Sequence, residues 1–409
     1  MARLFSSGAE TQATQAEKYS SVSATSPTFI TSGQRSGGAA LQCASGAGND
    51  PVWVKFGVLG ATGITYYWRG YFKFSHLPSA TTTISVMSDL GGRIISARLT
   101  SGGKLQLWND TGTPAQIGSD SSATISADGS TWYRVELAGK IDTGATDTAA
   151  LKLDGTTVAS ATGLSLSESA FSEWMIGWCD APGASKALAL DDIALNDETG
   201  ANQNDYPGSG KIVLLKPISD NARATLWTGG SGGTTSLFDA VENTPPIGTA
   251  TETDLTQIEH AGGAAGTTDA YDANLTTYTT AGMVSGDTVK VSQLIAVHGE
   301  DISTGAKLLN FEVISNPAIA SAGNVTAGDT SPAALSTYPS EWGAHFGTLV
   351  YDSSVTLGTS PVMRARRPET ASRVASVCFM GLMVEYQPGV ATSLPRYDRR
   401  IRRNTLLRM

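Results

Sequence analysis

The sequence predicts an all-β protein made of packed antiparallel sheets. Glycine accounts for 45 of the 409 residues, only 16% of the residues are charged, and no segment sustains the apolar spacing of an amphipathic helix. Short alternations of apolar and polar residues recur instead, with glycine at the breaks between them. This pattern is typical of β-sandwiches, whose short strands are joined by turns. Because one hydrophobic core rarely grows beyond about 250 residues, more than one domain is expected.

The strictest alternation lies between residues 65 and 75. Successive side chains of a strand point to opposite faces, so this segment has one core face and one amphipathic, aromatic face. The core face is predicted to carry Tyr66, Trp68, Phe72 and Phe74, and the other face Tyr67, Arg69, Tyr71 and Lys73.

Residues 131–162 predict a meander of strands. In its first strand one side carries Tyr133, Val135, Leu137 and Ile141, and the other carries Trp132, Arg134 and Glu136. Asp154-Gly155 then predicts a hairpin turn, because these residue types adopt the positive φ angles that a tight turn needs. A strand at Ala187–Leu195 closes the first domain.

Composition divides the chain into four parts. Residues 1–198 are predicted to form a β-sandwich, 199–210 a polar linker with proline and glycine, 211–388 a second all-β domain, and 389–409 a basic tail. Two strands mark the second domain. The first, at Lys211, has the sequence KIVLLKP, and the last, VASVCFMGLMVEY, is apolar on both faces and therefore central.

The basic tail has the opposite charge to the rest of the chain, whose overall net charge is −9. We expect it to be disordered alone and to dock on an acidic protein surface through Arg396, Arg399, Arg400, Arg402 and Arg403, in preference to nucleic acid. No apolar run has the length of a signal peptide or membrane span, and the three cysteines, far apart in apolar surroundings, are expected to be buried thiols.

The motif search yields no catalytic constellation. The chain lacks a G-x-S-x-G elbow, a phosphate-binding loop and a zinc-protease helix. The acid pairs Glu168/Glu173 and Asp191/Asp192 are poorly spaced for a glycosidase, because residues an odd number of positions apart in a strand point to opposite faces. We therefore expect no enzyme activity and no cofactor. Asp191 and Asp192 could instead hold a structural Ca²⁺, with a hydrogen-bonded rim as the alternative.

Five residues are candidates for glycan contact, because aromatic rings stack on the apolar faces of sugars and polar neighbours bind hydroxyls. They are Tyr67, Arg69, Tyr71, Trp108 and Trp132. Packing against a facing sheet or a neighbouring subunit is the alternative role for these side chains.

Several segments resemble a known family. SGQRSGGAAL at 32–41, the meander at 131–160 and ALDDIALND at 189–197 resemble the concanavalin A-like (laminin-G-like) lectin/glucanase jelly roll of tailed-phage virion proteins. In the second half, Trp227-Thr228, Asp239-Ala240-Val241 and Pro245-Pro246 look like a recurrent phage module.

The resemblance implies a structural virion protein, either a minor tail protein or a head fibre or decoration protein, assembled in the host cytoplasm. Its partners would be other virion proteins, further copies of itself (a trimer being one form) and host-surface polysaccharide, without membrane insertion. Two alternatives stay open: a virion depolymerase or glycosidase, and a free soluble lectin.

Overall fold

A computed structural model confirms the predicted fold class. It describes residues 3–12, 19–57, 60–89, 92–142, 146–166, 169–223, 227–229, 236–241, 258–260, 270–300, 309–315, 325–330, 343–346, 357–366 and 375–389. These residues form four antiparallel sheets, here named A to D, and one short helix, α1 (Phe238–Val241). No helix in the described part of the chain has the length and hydropathy that a membrane span requires.

Sheets A and B form the first sandwich. Sheet A contains β1 (Arg3–Ser7), β3 (Thr28–Ile30), β4 (Ala40–Ala44), β6 (Thr65–Phe74), β11 (Trp132–Lys140), β12 (Asp147–Leu153), β13 (Thr156–Leu164) and β15 (Ala187–Asp197). Sheet B contains β2 (Ser21–Val22), β5 (Val52–Gly57), β7 (Thr82–Ser88), β8 (Arg93–Leu99), β9 (Leu105–Asn109), β10 (Ala115–Ile117) and β14 (Glu173–Trp178). The strand order is β13-β12-β11-β6-β15-β4-β3 in sheet A, with β1 also on β15, and β10-β9-β8-β7-β14-β5-β2 in sheet B.

Aromatic side chains fill the space between sheets A and B. Trp174 of β14 lies 4.8 Å from Trp68 of β6 and 4.9 Å from Phe56 of β5, measured between ring centroids. The four residues predicted for the core face of β6 and the residues Val135, Leu137 and Ile141 all belong to this core, with Tyr133 packed against it. The period-two alternation therefore predicted both core faces correctly.

The hairpin between β12 and β13 also forms where the sequence predicts it. Asp154 and Gly155 have φ angles of 51° and 85° and connect the two strands. Two consecutive positive φ angles are typical of the type I′ turn, which matches the twist of the flanking strands.

Sheets C and D share the second core. Sheet C contains β16 (Lys211–Leu215), β18 (Trp227–Gly229), β19 (Ile258–His260), β21 (Thr288–Glu300), β24 (Gly343–Phe346) and β26 (Ala375–Gln387). Sheet D contains β17 (Pro217–Arg223), β20 (Ala270–Leu275), β22 (Leu309–Ser315), β23 (Val325–Thr330) and β25 (Val362–Arg366). As predicted, β26 is central, because it pairs with β16, β19 and β21.

Of two further strand predictions for the second sandwich, one differs from the structure and one lies outside the described residues. The polar sequence between residues 228 and 286 predicts few strands, yet β19 and β20 lie there, and β20 pairs with β17 and β25. Its sequence AYDANL is too short and too polar to show a clear alternation. The sequence also predicts a strand at 348–351, a segment that lies outside the described residues.

Two strands, β4 and β1, pair with different parts of β15 along the same side. Polar residues of β15 lie where these two strands meet, next to the second sandwich. β4 pairs with residues 187–190 of β15, and β1 pairs with residues 193–196. Between them β15 is irregular, and Asp192 has a φ angle of 50°. A bulge of this kind redirects side chains at the edge of a sheet.

Candidate functional site

The register of sheet A arranges the outward side chains in rows. Lys73 pairs with Ala189 and Trp132, and Tyr71 pairs with Asp191 and Arg134. Two further rows follow, one with Arg69, Glu136 and Lys152, and the next with Asn196, Tyr67 and Ala138. We call these four rows the outer face. Four of the five glycan candidates, Tyr67, Arg69, Tyr71 and Trp132, lie on it.

Trp108 lies elsewhere, on the outward side of sheet B. It pairs with Ser96 and Gln116, its Nε1 donates to Gln106 Oε1 at 2.9 Å, and the Arg98 guanidinium lies 4.1 Å from its ring centroid. The five candidates therefore do not form one site, because Trp108 is separated from the other four by the core of the sandwich.

The centre of the outer face is covered by a carboxylate from the second sandwich. Glu385 of β26 accepts a hydrogen bond from Arg69 Nη1 at 2.8 Å and another from Arg3 Nη1, and all three side chains are fully buried. Lys290 Nζ of β21 lies 3.8 Å from Glu385 Oε1. Arg69 thus contacts protein on this face.

The charges around Glu385 determine its protonation. Burial by itself raises the pKa of a carboxyl group, but Arg3, Arg69 and Lys290 outweigh burial and hold the pKa of Glu385 well below its usual range. Burial lowers the pKa of Lys290 to about 8, and Glu385 opposes this shift. Glu385 is therefore an anion throughout the neutral range.

Residues within the predicted linker are hydrogen-bonded to both sandwiches. We call residues 203–210 the strap, because it lies across the outer face. Arg69 Nη1 donates to Gly208 O at 3.1 Å, Arg35 Nη1 donates to Gly210 O at 2.6 Å, and Lys290 donates to Pro207 O. In the other direction, Gly208 N donates to Glu136 Oε1 at 2.8 Å. Buried polar groups held in this way resist displacement, since each would lose a partner.

Close packing explains two residues of the strap. A side chain at Gly210 would begin 2.5 Å from Glu385 Oε1 and 2.6 Å from Arg69 Nη1, so glycine permits the close approach of the two sandwiches. The ring of Tyr206 lies 5.0 Å from that of Tyr67, and Lys152 Nζ lies 3.4 Å from the Tyr206 centroid. The strap therefore covers Tyr67 as well.

Asp191 and Asp192 accept hydrogen bonds from the same loop. Asp191 Oδ2 accepts from Arg35 N at 2.8 Å, and Asp192 accepts from Ser36 Oγ and Ile212 N, both at 2.5 Å, and from Arg35 Nη1. The expectation that adjacent residues point apart was wrong here, because the bulge turns both carboxylates toward residues 35–36. Within the described residues no group of three or more metal-binding side chains occurs.

Burial raises the pKa of Asp191 well above its usual range, and the charge of Asp192 adds to this effect, whereas hydrogen bonds from the backbone of Arg35 and Ser36 oppose it. Asp191 and Glu385 are therefore buried carboxyl groups whose pKa values are shifted in opposite directions. The difference follows from their neighbours, since Glu385 faces three cations and Asp191 faces a second carboxylate.

One end of the outer face stays open. Trp132 and Lys73 are partly exposed, with Lys73 Nζ 4.9 Å from the Trp132 ring centroid. Their row continues through Ala189, a small residue, to Gln42 of β4. The adjacent Tyr71 is buried beneath Arg35, whose guanidinium lies 3.4 Å from its ring centroid.

The sequence interpretation missed Arg3, Lys290 and Glu385. Glu385 had a detectable signal, because it is a single acid in the otherwise apolar run VASVCFMGLMVEY. A charge in a buried strand requires a partner, so such a residue indicates an ionic contact. The predicted docking arginines and Glu168 lie outside the described residues.

Comparison with known proteins finds similarity in solved structures alone. No family model and no curated protein matches the chain. An endo-β-1,4-glucuronan lyase from the fungus Trichoderma reesei is 13% identical, with a TM-score of 0.39, covering 51% of this chain and all of that one. A carbohydrate esterase from the Shiga toxin-encoding bacteriophage phi24B is 14% identical, with a TM-score of 0.36, covering 47% of this chain and 97% of that one.

An alginate lyase is also similar, at 14% identity and a TM-score of 0.30 over 38% of this chain and 80% of that one. Such low identities concern the fold alone. The comparisons nevertheless correct one expectation from the sequence. We expected no enzyme activity, but these neighbours are a lyase, an esterase and a second lyase.

Proposed function

We propose that this chain is a structural component of a tailed-phage particle that also binds glycans. The observation that carries the proposal is the buried junction, in which Arg3 and Arg69 of the first sandwich hold Glu385 of the second. While the buried charges and the strap hold this junction, the two sandwiches keep one arrangement. A constant arrangement suits a repeated particle component, which presents many copies of the same surface. The resemblance to phage virion modules supports the same role.

The glycan-binding surface in this proposal is the open end of the outer face. Trp132 offers a partly exposed ring for stacking, and Lys73 and Gln42, on either side of the buried Ala189, offer donors for hydroxyl groups. Such a small surface binds weakly on its own. Many copies on one particle would compensate through multivalency, which raises apparent affinity by roughly 10² to 10⁴.

Mass spectrometry of purified particles tests the structural role. We expect the polypeptide in particles of the phage that encodes it, at a constant copy number relative to the major capsid protein. Its absence from purified particles, combined with its presence in the free fraction of the lysate, would contradict the proposal and favour a free lectin.

A glycan array tests the binding surface. We expect Trp132→Ala to reduce binding about tenfold or more, because it removes the ring on which the apolar face of a sugar would stack. Trp108→Ala is the matched control, because it removes a tryptophan on the other sheet. Loss of binding in the control alone would place the site on sheet B. The same incubations are analysed for shortened chains, which would indicate a depolymerase.

A further inference from the structure

The first sandwich binds the Glu385 carboxylate as it would bind a ligand. Its carboxylate belongs to β26 of the second sandwich, yet two of its partners, Arg3 and Arg69, come from β1 and β6 of the first. Ser6 Oγ of β1 is a further donor, 3.4 Å from Glu385 Oε2. Arg69 also has a buried Nη2 with no hydrogen-bond partner within the described residues. The first sandwich therefore provides more donors than one carboxylate accepts.

We propose that Arg3 and Arg69 form a carboxylate-binding site on the first sandwich, and that Glu385 occupies this site in cis. The second sandwich is then a cap that keeps the centre of the outer face closed. In the capped form Tyr67 is covered by Tyr206 and Arg69 by Glu385. Release of the cap would expose both residues together with the carboxylate site.

The charges of Arg3 and Arg69 determine which ligands can displace the cap. While the second sandwich covers Arg3 and Arg69, a carboxylate must lie between them, because two buried guanidinium groups without a counter-ion are costly. A tethered carboxylate has an effective concentration in the millimolar range or above. A small free acid therefore competes poorly, whereas a polymer that presents many carboxylates competes well. The ligand class for the exposed face is thus a polyanionic, carboxylate-bearing polymer.

Hydrogen–deuterium exchange with chemical rescue tests the proposal. Two backbone amides report on the cap, because Gly208 N donates to Glu136 Oε1 and Ile212 N donates to Asp192 Oδ1. In full-length Glu385→Ala we expect these amides to exchange about a hundredfold faster, or more, than in the unaltered protein. Acetate, which replaces the deleted atoms, should restore protection in a concentration-dependent way, and acetamide should not.

Glu173→Ala is the matched control, because Glu173 pairs with Lys55 on the surface of the first sandwich, where its side chain is 35% exposed. We expect no change of exchange at Gly208 or Ile212 in this variant. Unchanged exchange in Glu385→Ala, or equal rescue by acetate and acetamide, would overturn the proposal.

An engineered disulfide distinguishes release of the cap from local unfolding. A Cβ atom built on Gly8 lies 3.1 Å from Ile212 Cβ, close to the roughly 3.5–4.5 Å of a disulfide, and Ile212 pairs directly with Glu385 in sheet C. In Glu385→Ala carrying Gly8→Cys and Ile212→Cys, oxidation should restore protection without acetate, and reduction should remove it. Equally fast exchange in both redox states would show local unfolding and overturn the proposal.

Discussion

The sheets of the first sandwich are joined by apolar side chains, whereas the two sandwiches are joined by charges. Between sheets A and B, Trp68, Phe56 and Trp174 stack in a hydrophobic core. Between the sandwiches, Arg3, Arg69 and Glu385 meet in a site of equal burial. Apolar burial stabilises without regard to direction or pH, whereas a buried charge stabilises only while every partner is present. The core therefore provides stability, and the junction provides a contact that depends on specific residues and conditions.

A large effect, of the size expected at the junction, is expected in the apolar core. Trp174→Ala removes the ring at the centre of the stack and should lower the free energy of unfolding by about 3–5 kcal/mol, because a large cavity remains. The loss should be the same at pH 4 and pH 7 and at low and high salt. Urea unfolding followed by circular dichroism measures it. A strong pH or salt dependence would contradict the distinction between core and junction.

The junction should respond to pH in two opposite directions. The pKa of Glu385 lies well below its usual 4.5 in the folded protein, so the unfolded chain takes up the proton first. This contribution to stability is complete above about pH 4.5 and is lost as the pH falls. The pKa of Asp191 is raised well above its usual 3.8, so the folded protein keeps a proton that the unfolded chain releases. That contribution is lost as the pH rises above about 3.8.

Two variants separate these contributions. Glu385→Gln should lower the free energy of unfolding by about 3–5 kcal/mol at pH 7, since it leaves buried guanidinium groups without a counter-ion. It should also flatten the loss of stability below pH 4.5. Asp191→Asn should flatten the opposite slope above pH 3.8, because asparagine does not titrate. Unfolding in urea at pH values from 3 to 8 measures both slopes, and equal profiles for the two variants would contradict the assignment.

The same contrast explains how much the sequence could predict. Apolar packing follows a local rule, since residues two apart share a face, and the core positions of β6 and β11 could therefore be predicted from alternation. The junction follows no local rule. Arg69 and Glu385 are 316 residues apart, and neither neighbourhood indicates the other. Proline and glycine in residues 199–210 predict a linker, but composition alone does not reveal the close packing that Gly210 requires.

The smallest effect is expected for an ion pair of the same kind at the surface. Lys55 Nζ and Glu173 Oε1 are 2.8 Å apart, as close as Arg69 Nη1 and Glu385 Oε1, but their side chains are 25% and 35% exposed. A double-mutant cycle with Lys55→Met and Glu173→Gln should give a coupling energy of at most about 1 kcal/mol that decreases with salt, because water and ions screen exposed charges. The same cycle with Arg69→Met and Glu385→Gln should give a larger coupling energy with little salt dependence. Since the two distances are equal, the difference between the coupling energies measures the effect of burial on an ion pair. Similar coupling energies for the two pairs would mean that water enters the junction of the sandwiches.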